Sequence, residues 1–182
     1  MKYNEIKEIS PSKITKMLEQ NGYKKIGEGS KSYIYKKNDI ITKVSYKSDD
    51  CWYKFANISI KYNNKHFPKI YDMKTYNYNN DMNFVAYMEN LKEINYNDLD
   101  YKKMYEIYDI LKHFDDSILD DIINDYYDNN ETEKLLKLYP DKKELIKAIS
   151  ILLIYKGSCS FDIHPLNVMK RNNTLVIVDP WN

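Results

Sequence analysis

The pattern of hydrophobic and polar residues changes near residue 91. Before it, short runs rich in Tyr, Ile and Val alternate with Gly, Asn and Pro, a period-two pattern that predicts β-strands. After it, apolar residues recur with the 3.6-residue period of helices. Five strands are predicted in the first part, at residues 23–26, 33–35, 40–44, 67–73 and 84–88, with a polar turn at residues 77–81.

Helix-start signals place two helices in this first part. Ser10 as N-cap and Pro11 at the first helical position predict a short helix that ends before Gly22. Ser48, followed by two aspartates, predicts the start of a second helix. The apolar stripe of this second helix consists of Trp52, Phe55 and Ile58.

The second part of the chain predicts helices and then a β-hairpin. Two helical stripes come first, one of Ile107, Leu111 and Phe114 and one of Ile118, Ile122 and Tyr126. A capping box that starts at Asp141 predicts a helix that ends near Gly157. This helix would bury Leu145, Ile149, Leu152 and Leu153. With a hairpin at residues 171–174, the predicted fold is α+β: an antiparallel five-stranded sheet plus helix, then a mainly helical part.

Charge composition argues against a nucleic-acid or membrane partner. Lys and Arg number 28, Asp and Glu number 27, and the formal net charge is +1, with Arg171 the single arginine. The longest apolar run, residues 149–155, is too short to cross a bilayer, and the N-terminus has no apolar targeting segment. Because Cys51 and Cys159 cannot build a disulfide framework, we expect a cytoplasmic protein, in the host cytoplasm if the protein is viral.

A glycine turn and a strand lysine in the first part suit phosphate binding. Residues 27–30, with the sequence GEGS, join the first two strands, and glycines let backbone amides approach phosphate oxygens. Lys43 lies in the third strand, flanked by apolar residues that would aim its ammonium into a dry cleft. Taken alone, each feature has a structural explanation, an ordinary hairpin turn and a solvent-facing lysine on an edge strand.

Three oxygen-bearing side chains occur together near the end of the sequence. Asp162 and Asn167 lie five residues apart in a predicted loop, and Asp179 ends an apolar strand twelve residues later. Phosphoryl transfer to a hydroxyl needs one carboxylate to deprotonate the acceptor, and an amide oxygen and a second carboxylate to hold magnesium on the phosphates. The alternative is a β-hairpin whose acids only mark the strand ends.

Together these motifs resemble the protein-kinase-like superfamily. The order of glycine turn, strand lysine, D-x-x-x-x-N loop and strand-terminal Asp is that of its members. The D-x-H-P-x-N sequence of this loop is similar to that of aminoglycoside and choline kinase relatives and of small kinase-like proteins of tailed bacteriophages. The resemblance, from Tyr23 to Trp181, implies a two-lobed fold. Residues 1–91 would form the N-lobe and residues 92–182 a truncated C-lobe.

The resemblance also implies a role for each matched residue. Asp162 would be the catalytic base, Lys43 the phosphate clamp, and His164 a contact to the γ-phosphate or a support for Asp162. A purely structural histidine in the loop is the alternative for His164. Asn167 and Asp179 would bind Mg²⁺, and ATP would be the phosphate donor. The glycine turn and a hinge after the fifth strand would supply the other nucleotide-binding residues: Gly27, Glu28, Gly29, Ser30, Glu89 and Asn90.

Two departures from the superfamily pattern bear on activity. No Glu occurs between Val44 and Met88, so either Asp49 or Asp50 is the acidic partner of the strand lysine, or both acids only complement the dipole of the second helix. The sequence DPWN at residues 179–182 stands in place of D-F-G, and no activation segment follows it. Both departures support a pseudokinase, whereas the presence of Lys43, Asp162, Asn167 and Asp179 argues against one.

Three functions are therefore compatible with the sequence. The first is an ATP- and magnesium-dependent kinase of the phage Ser/Thr type that modifies host proteins. The second is a pseudokinase that binds a host protein as a partner. The third is a small-molecule kinase, for which the acidic stretch at residues 115–125 would offer a pocket to a cationic acceptor, although a solvated helical face explains that stretch better. The oligomeric state is left open.

Overall fold

The computed structural model describes residues 9–94, 142–163 and 165–182. These residues belong to two compact units, one made of residues up to Lys61 with Lys69–Asn90, the other of Tyr62–Pro68 with Leu91–Asn182. The prediction had placed residues 62–68 with the first unit. The helical stripes predicted between residues 107 and 126, the acidic stretch at 115–125 and His164 lie outside the described residues.

The first unit contains the predicted five-stranded antiparallel sheet. Its strand order is β1-β2-β3-β5-β4, so β3 lies at the centre and β1 and β4 at the edges. Lys43 of β3 lies between Ile34 of β2 and Ala86 of β5 in the register of the sheet, and these three side chains share one face. The strands are β1 Lys24–Glu28, β2 Ser32–Lys37, β3 Ile40–Ser45, β4 Ile70–Tyr78 and β5 Asp81–Glu89.

The hairpin of β4 and β5 is longer than the sequence pattern predicted. The expected polar turn at residues 77–81 is a two-residue turn, in which Asn79 and Asn80 have φ values of 53° and 65°. Asn tolerates this left-handed conformation, and two such residues give a turn whose twist matches that of the flanking strands. Pairing therefore continues to Tyr78 and Asp81, through positions that composition alone had assigned to a loop.

Two helices accompany this sheet. α1, Pro11–Gln20, begins with Ser10 as N-cap, whose hydroxyl accepts the amide of Lys13 at 3.4 Å, and it is followed by Gly22 with φ of 82°, as predicted. α2, Asp50–Tyr62, carries the predicted apolar stripe, and the ring of Trp52 stacks on Phe84 of β5 with centroids 4.8 Å apart.

The face of the sheet opposite Lys43 forms a separate hydrophobic cluster. It combines one residue of α1 with four strand residues: Leu18, Tyr35, Val44, Tyr76 and Val85. The Tyr76 hydroxyl donates a hydrogen bond to the carbonyl of Ser45. Desolvation by burial raises the pKa of Tyr76 to about 12, so the hydroxyl stays protonated and remains a donor at neutral pH.

The second unit contains one described helix and a three-stranded antiparallel sheet of order β6-β7-β8. α3, Lys143–Tyr155, buries the four predicted residues Leu145, Ile149, Leu152 and Leu153. The hairpin at residues 171–174 is confirmed, with Asn172 at φ of 54°. Its strands are β6 Lys92–Glu93, β7 Val168–Arg171 and β8 Thr174–Ile177. Among the described residues, no helix has the length and apolarity needed to span a membrane.

Candidate active site

The glycine turn joins β1 to β2 as predicted. The amide of Gly29 donates to the carbonyl of Ser32 at 2.8 Å, and the hydroxyl of Tyr46 donates to the carbonyl of Gly29 at 2.6 Å. Glu28 forms an ion pair with Lys25 at 2.6 Å, and Ser30 is exposed at the turn. The turn is thus held at its base, while its outer residues face solvent.

The fold itself does not require glycine at positions 27 and 29. Neither residue has a left-handed φ. A Cβ added at Gly27 would meet Ile34 at 3.7 Å, and one at Gly29 would meet Ser32 at 3.9 Å, both ordinary van der Waals distances. Glycine at these two positions therefore suits a ligand that approaches the backbone closely, such as a phosphate group.

Lys43 is buried, with a residue exposure of 6%. Its Nζ atom lies 4.2 Å from the ring centroid of Trp52 and 3.6 Å from the Oδ2 atom of Asp49. A buried ammonium is stable only with an anionic or hydrogen-bonding partner, and the aromatic face adds a cation–π attraction. The structural alternative, a solvent-facing lysine on an edge strand, does not hold, since β3 is the central strand and Lys43 is buried.

Asp49, and not Asp50, is the acid beside Lys43. The carbonyl of Asp49 accepts the amide of Tyr53 at 2.9 Å, which puts Asp49 at the N-cap of α2 and fixes its backbone. The adjacent Asp50 is exposed and accepts the hydroxyl of Ser48 at 2.8 Å. The sequence alone leaves open which of the two acids pairs with Lys43, and whether either does.

Lys31 was missed by the sequence analysis. Its Nζ atom lies 3.6 Å from Oδ1 of Asp49, so the one carboxylate contacts two lysines through its two oxygens. The sequence signal available was a lysine two residues after Gly29, which is too common to single out.

The proposed hinge residues are held by the sheet. The amide of Glu89 donates to the carbonyl of Lys69 at 3.0 Å, and the amide of Asn90 donates to the carbonyl of Asp39 at 3.2 Å. The Glu89 carboxylate accepts the amide of Lys69 at 2.7 Å. Both backbone amides are therefore already bonded within the first unit, and an adenine contact at these residues would use other groups.

In the second unit, the loop of the D-x-x-x-x-N motif is closed by its own first and last residues. The side-chain amide of Asn167 donates to the carbonyl of Asp162 at 2.7 Å and to the Asp162 carboxylate at 3.3 Å. A 3₁₀ turn at Pro165–Asn167 brings the two residues into reach. With its Nδ2 atom engaged, Asn167 has its amide oxygen as the atom for a metal.

Asp179 is joined to this loop through the backbone on both sides. The amide of Val178 donates to the carbonyl of Asn167 at 2.9 Å, and the carbonyl of Pro180 accepts the amide of Asp162 at 2.8 Å. Further along, Ser160 and Asn182 exchange two backbone hydrogen bonds of 3.1 and 3.0 Å. The structure therefore brings the three oxygen-bearing residues of the motif into one local framework.

The donor set of this framework suits magnesium. Carboxylate and amide oxygens are hard ligands of the kind that Mg²⁺ takes in phosphoryl-transfer enzymes. Within the described part of the chain, no group of three or more His, Cys, Asp or Glu side chains is arranged to hold a metal. A metal here would accordingly rely on the Asn167 amide and on the phosphates of a nucleotide as well as on carboxylates.

His66, to which the sequence analysis gave no role, supports β8. Its Nδ1 atom lies 2.8 Å from the carbonyl of Leu175, so Nδ1 carries the proton and donates, and the His66 carbonyl accepts the amide of Ile177 at 2.9 Å. Desolvation by burial lowers the pKa of His66 from its ordinary value of 6.5. His66 thereby holds the strand that leads to Asp179.

Comparison with protein-family models gives a match over almost the whole sequence. The model for bacteriophage T7 protein kinase 0.7 matches residues 10–182. The chain belongs to this family. No curated protein matches the chain. Membership confirms the predicted resemblance at the level of a phage kinase.

Proposed function

We propose that this phage kinase transfers the γ-phosphoryl group of ATP, with magnesium, to Ser or Thr hydroxyls of host proteins. The observation that carries the proposal is the buried Lys43 ammonium, which lies beside Asp49 and over Trp52 on the central strand of the sheet. A buried lysine held by an acid and an aromatic ring is a fixed positive charge suited to phosphate oxygens. Family membership makes a nucleoside triphosphate its expected ligand.

The other residues take roles that follow from their chemistry. Gly27, Glu28, Gly29 and Ser30 would cover the phosphates, and Glu89 and Asn90 would lie near the base. Asn167 and Asp179 would hold Mg²⁺, which supplies charge stabilisation on the phosphates when it is bound. His164 would contact the γ-phosphate.

Asp162 would accept the proton of the acceptor hydroxyl. The acceptor oxygen would form a bond to the γ-phosphorus while the bond from that phosphorus to the bridging oxygen of ADP breaks. Lys43 would neutralise charge on the phosphates during transfer. The hydrogen bond from Asn167 to the Asp162 carboxylate would fix the direction of that carboxylate.

The pairing of Lys43 with Asp49 bears on the pseudokinase alternative. That alternative drew support from the missing helix Glu, and Asp49 supplies the carboxylate from the start of the helix instead. Asp162, Asn167 and Asp179 are also present, so the ligand set for transfer is complete in residue type. An active enzyme accounts for these residues better than a binding module does.

A label-transfer assay tests the proposal. The purified chain is incubated with γ-labelled ATP, Mg²⁺ and a bacterial extract, beside Asp162→Asn and the matched control Asp72→Asn, an exposed acid on β4. Wild type and the control should label Ser or Thr in host proteins. Asp162→Asn should bind ATP as well as wild type and transfer at least about a hundredfold more slowly. Wild type that binds nucleotide but labels no Ser or Thr of a host protein would contradict the proposal.

A further inference from the structure

Lys31 stands at the junction of the glycine turn and the Lys43 site. Its side chain is 36% exposed, and its ammonium lies 3.6 Å from Oδ1 of an Asp49 carboxylate that is itself only 10% exposed. The backbone of Lys31 is fixed as well, because its carbonyl accepts the amides of Tyr46 at 2.9 Å and Lys47 at 3.4 Å. Lys31 therefore occupies a defined position rather than that of a mobile surface lysine.

The shared carboxylate brings two ammonium groups close together. Lys31 contacts one oxygen of Asp49 and Lys43 contacts the other, each at 3.6 Å. Like charges repel at this range, and the carboxylate between them offsets the repulsion. A chain of phosphates presents several anionic oxygens in a row, so one polyphosphate could contact both ammonium groups at once.

We propose that Lys31 is a second phosphate-binding residue, which contacts the β- or γ-phosphate of the bound nucleotide beside Lys43. The proposal rests on the proposed kinase function and extends it by assigning a direct ligand contact to the lysine that follows the glycine turn. Lys31 is exposed on one side and joined to Asp49 on the other. Its ammonium can therefore turn to a phosphate without leaving a buried charge unpaired.

A purely structural role for Lys31 makes a different prediction. If Lys31 only held Asp49 in place, removing its charge and removing the Asp49 carboxylate would have the same effect on ligand binding. If Lys31 contacts phosphate, the two changes act in different ways. Loss of Lys31 removes a phosphate contact, whereas loss of the carboxylate removes a competitor for both ammonium groups.

The test measures dissociation constants of Mg²⁺–ATP, inorganic tripolyphosphate and adenosine by titration calorimetry on the full chain. The variants are Lys31→Gln, Lys31→Arg and Asp49→Asn. The control is Lys16→Gln, which removes the same charge from an exposed lysine on α1. Lys31→Gln should bind both triphosphates about tenfold more weakly, and its affinity for adenosine should equal that of wild type. Lys31→Arg should keep most of the affinity, Asp49→Asn should not weaken tripolyphosphate binding, and Lys16→Gln should match wild type.

Three results overturn the proposal, and the first two can be told from failure of the kinase function. Equal triphosphate affinity of Lys31→Gln and wild type, with wild type active, shows that Lys31 makes no phosphate contact. Equal weakening by Lys31→Gln and Asp49→Asn shows a structural role through Asp49. Wild type that binds neither ATP nor tripolyphosphate removes the proposed function and this inference together. Circular dichroism of each variant checks folding, and Lys31→Met, which also removes the charge, replaces Lys31→Gln if that variant does not fold.

Discussion

The Nζ atom of Lys43 lies 3.6 Å from a carboxylate oxygen of Asp49, the residue that immediately precedes α2. Both side chains are largely buried, with exposures of 7% and 10%. Removing one partner of such a pair leaves the other charge buried without it, at a cost of several kcal/mol in free energy. Activity should therefore depend on Asp49 more strongly than on any exposed acid near it.

The first prediction compares two neighbouring aspartates. Asp49→Asn should lower the rate of phosphoryl transfer at least about tenfold, because Lys43 loses the carboxylate that fixes its ammonium. Asp50→Asn, one residue along and exposed, should transfer at the wild-type rate. Turnover at saturating ATP measures the effect. Equal rates for the two variants would show that the Asp49 carboxylate does not support phosphoryl transfer through Lys43.

A second prediction concerns the metal. Asn167→Ala should raise the Mg²⁺ concentration needed for half-maximal transfer about tenfold, since it removes an amide ligand and the hydrogen bonds to Asp162. Asn173→Ala, at the exposed turn between β7 and β8, is the control. A magnesium titration of the initial rate separates the two. Identical half-saturation values for Asn167→Ala and wild type would exclude Asn167 as a ligand.

A third prediction separates a glycine that suits a ligand from one that the fold needs. Gly29→Ala should leave the melting temperature unchanged, because its Cβ fits, but weaken ATP binding about tenfold. Gly22→Ala should do the reverse, since φ of 82° strains alanine by about 1 kcal/mol and lowers the melting temperature by about 2–4 °C. Thermal melts and ATP titrations of both variants check this, and a destabilised Gly29→Ala would mean that the turn itself requires glycine.

The comparison of the two glycines shows what the sequence could predict. The motif placed Gly29 in the turn between the first two strands and Lys43 in the third strand, where the structure has them. Residue type and spacing are enough to predict these positions. Which acid would face Lys43 depended on where α2 begins and on the direction of one N-cap side chain, and neither follows from composition. The position of His66 against β8 is a contact across more than a hundred residues, which no local pattern encodes.

A fourth prediction uses the pKa of His66. In the folded chain this pKa is lowered below 6.5, so the unfolded chain binds a proton more readily. As the pH falls through 6.5 toward the lowered value, protonation therefore favours unfolding, and the stability contributed by neutral His66 is lost. Melting temperatures between pH 8 and pH 5 should fall more steeply for wild type than for His66→Gln. The same pH dependence in both chains would show that His66 does not contribute.

The central claim is that Lys43 holds the phosphates of ATP. The most direct test is site-specific labelling with an acyl phosphate derivative of ATP. This reagent modifies lysines that lie beside the bound phosphates. Peptide mass spectrometry should find the label on Lys43, with Lys31 as the second modified residue, and excess Mg²⁺–ATP should protect both. Label spread over exposed lysines such as Lys16 and Lys37, without Lys43 and without protection by ATP, would contradict the account.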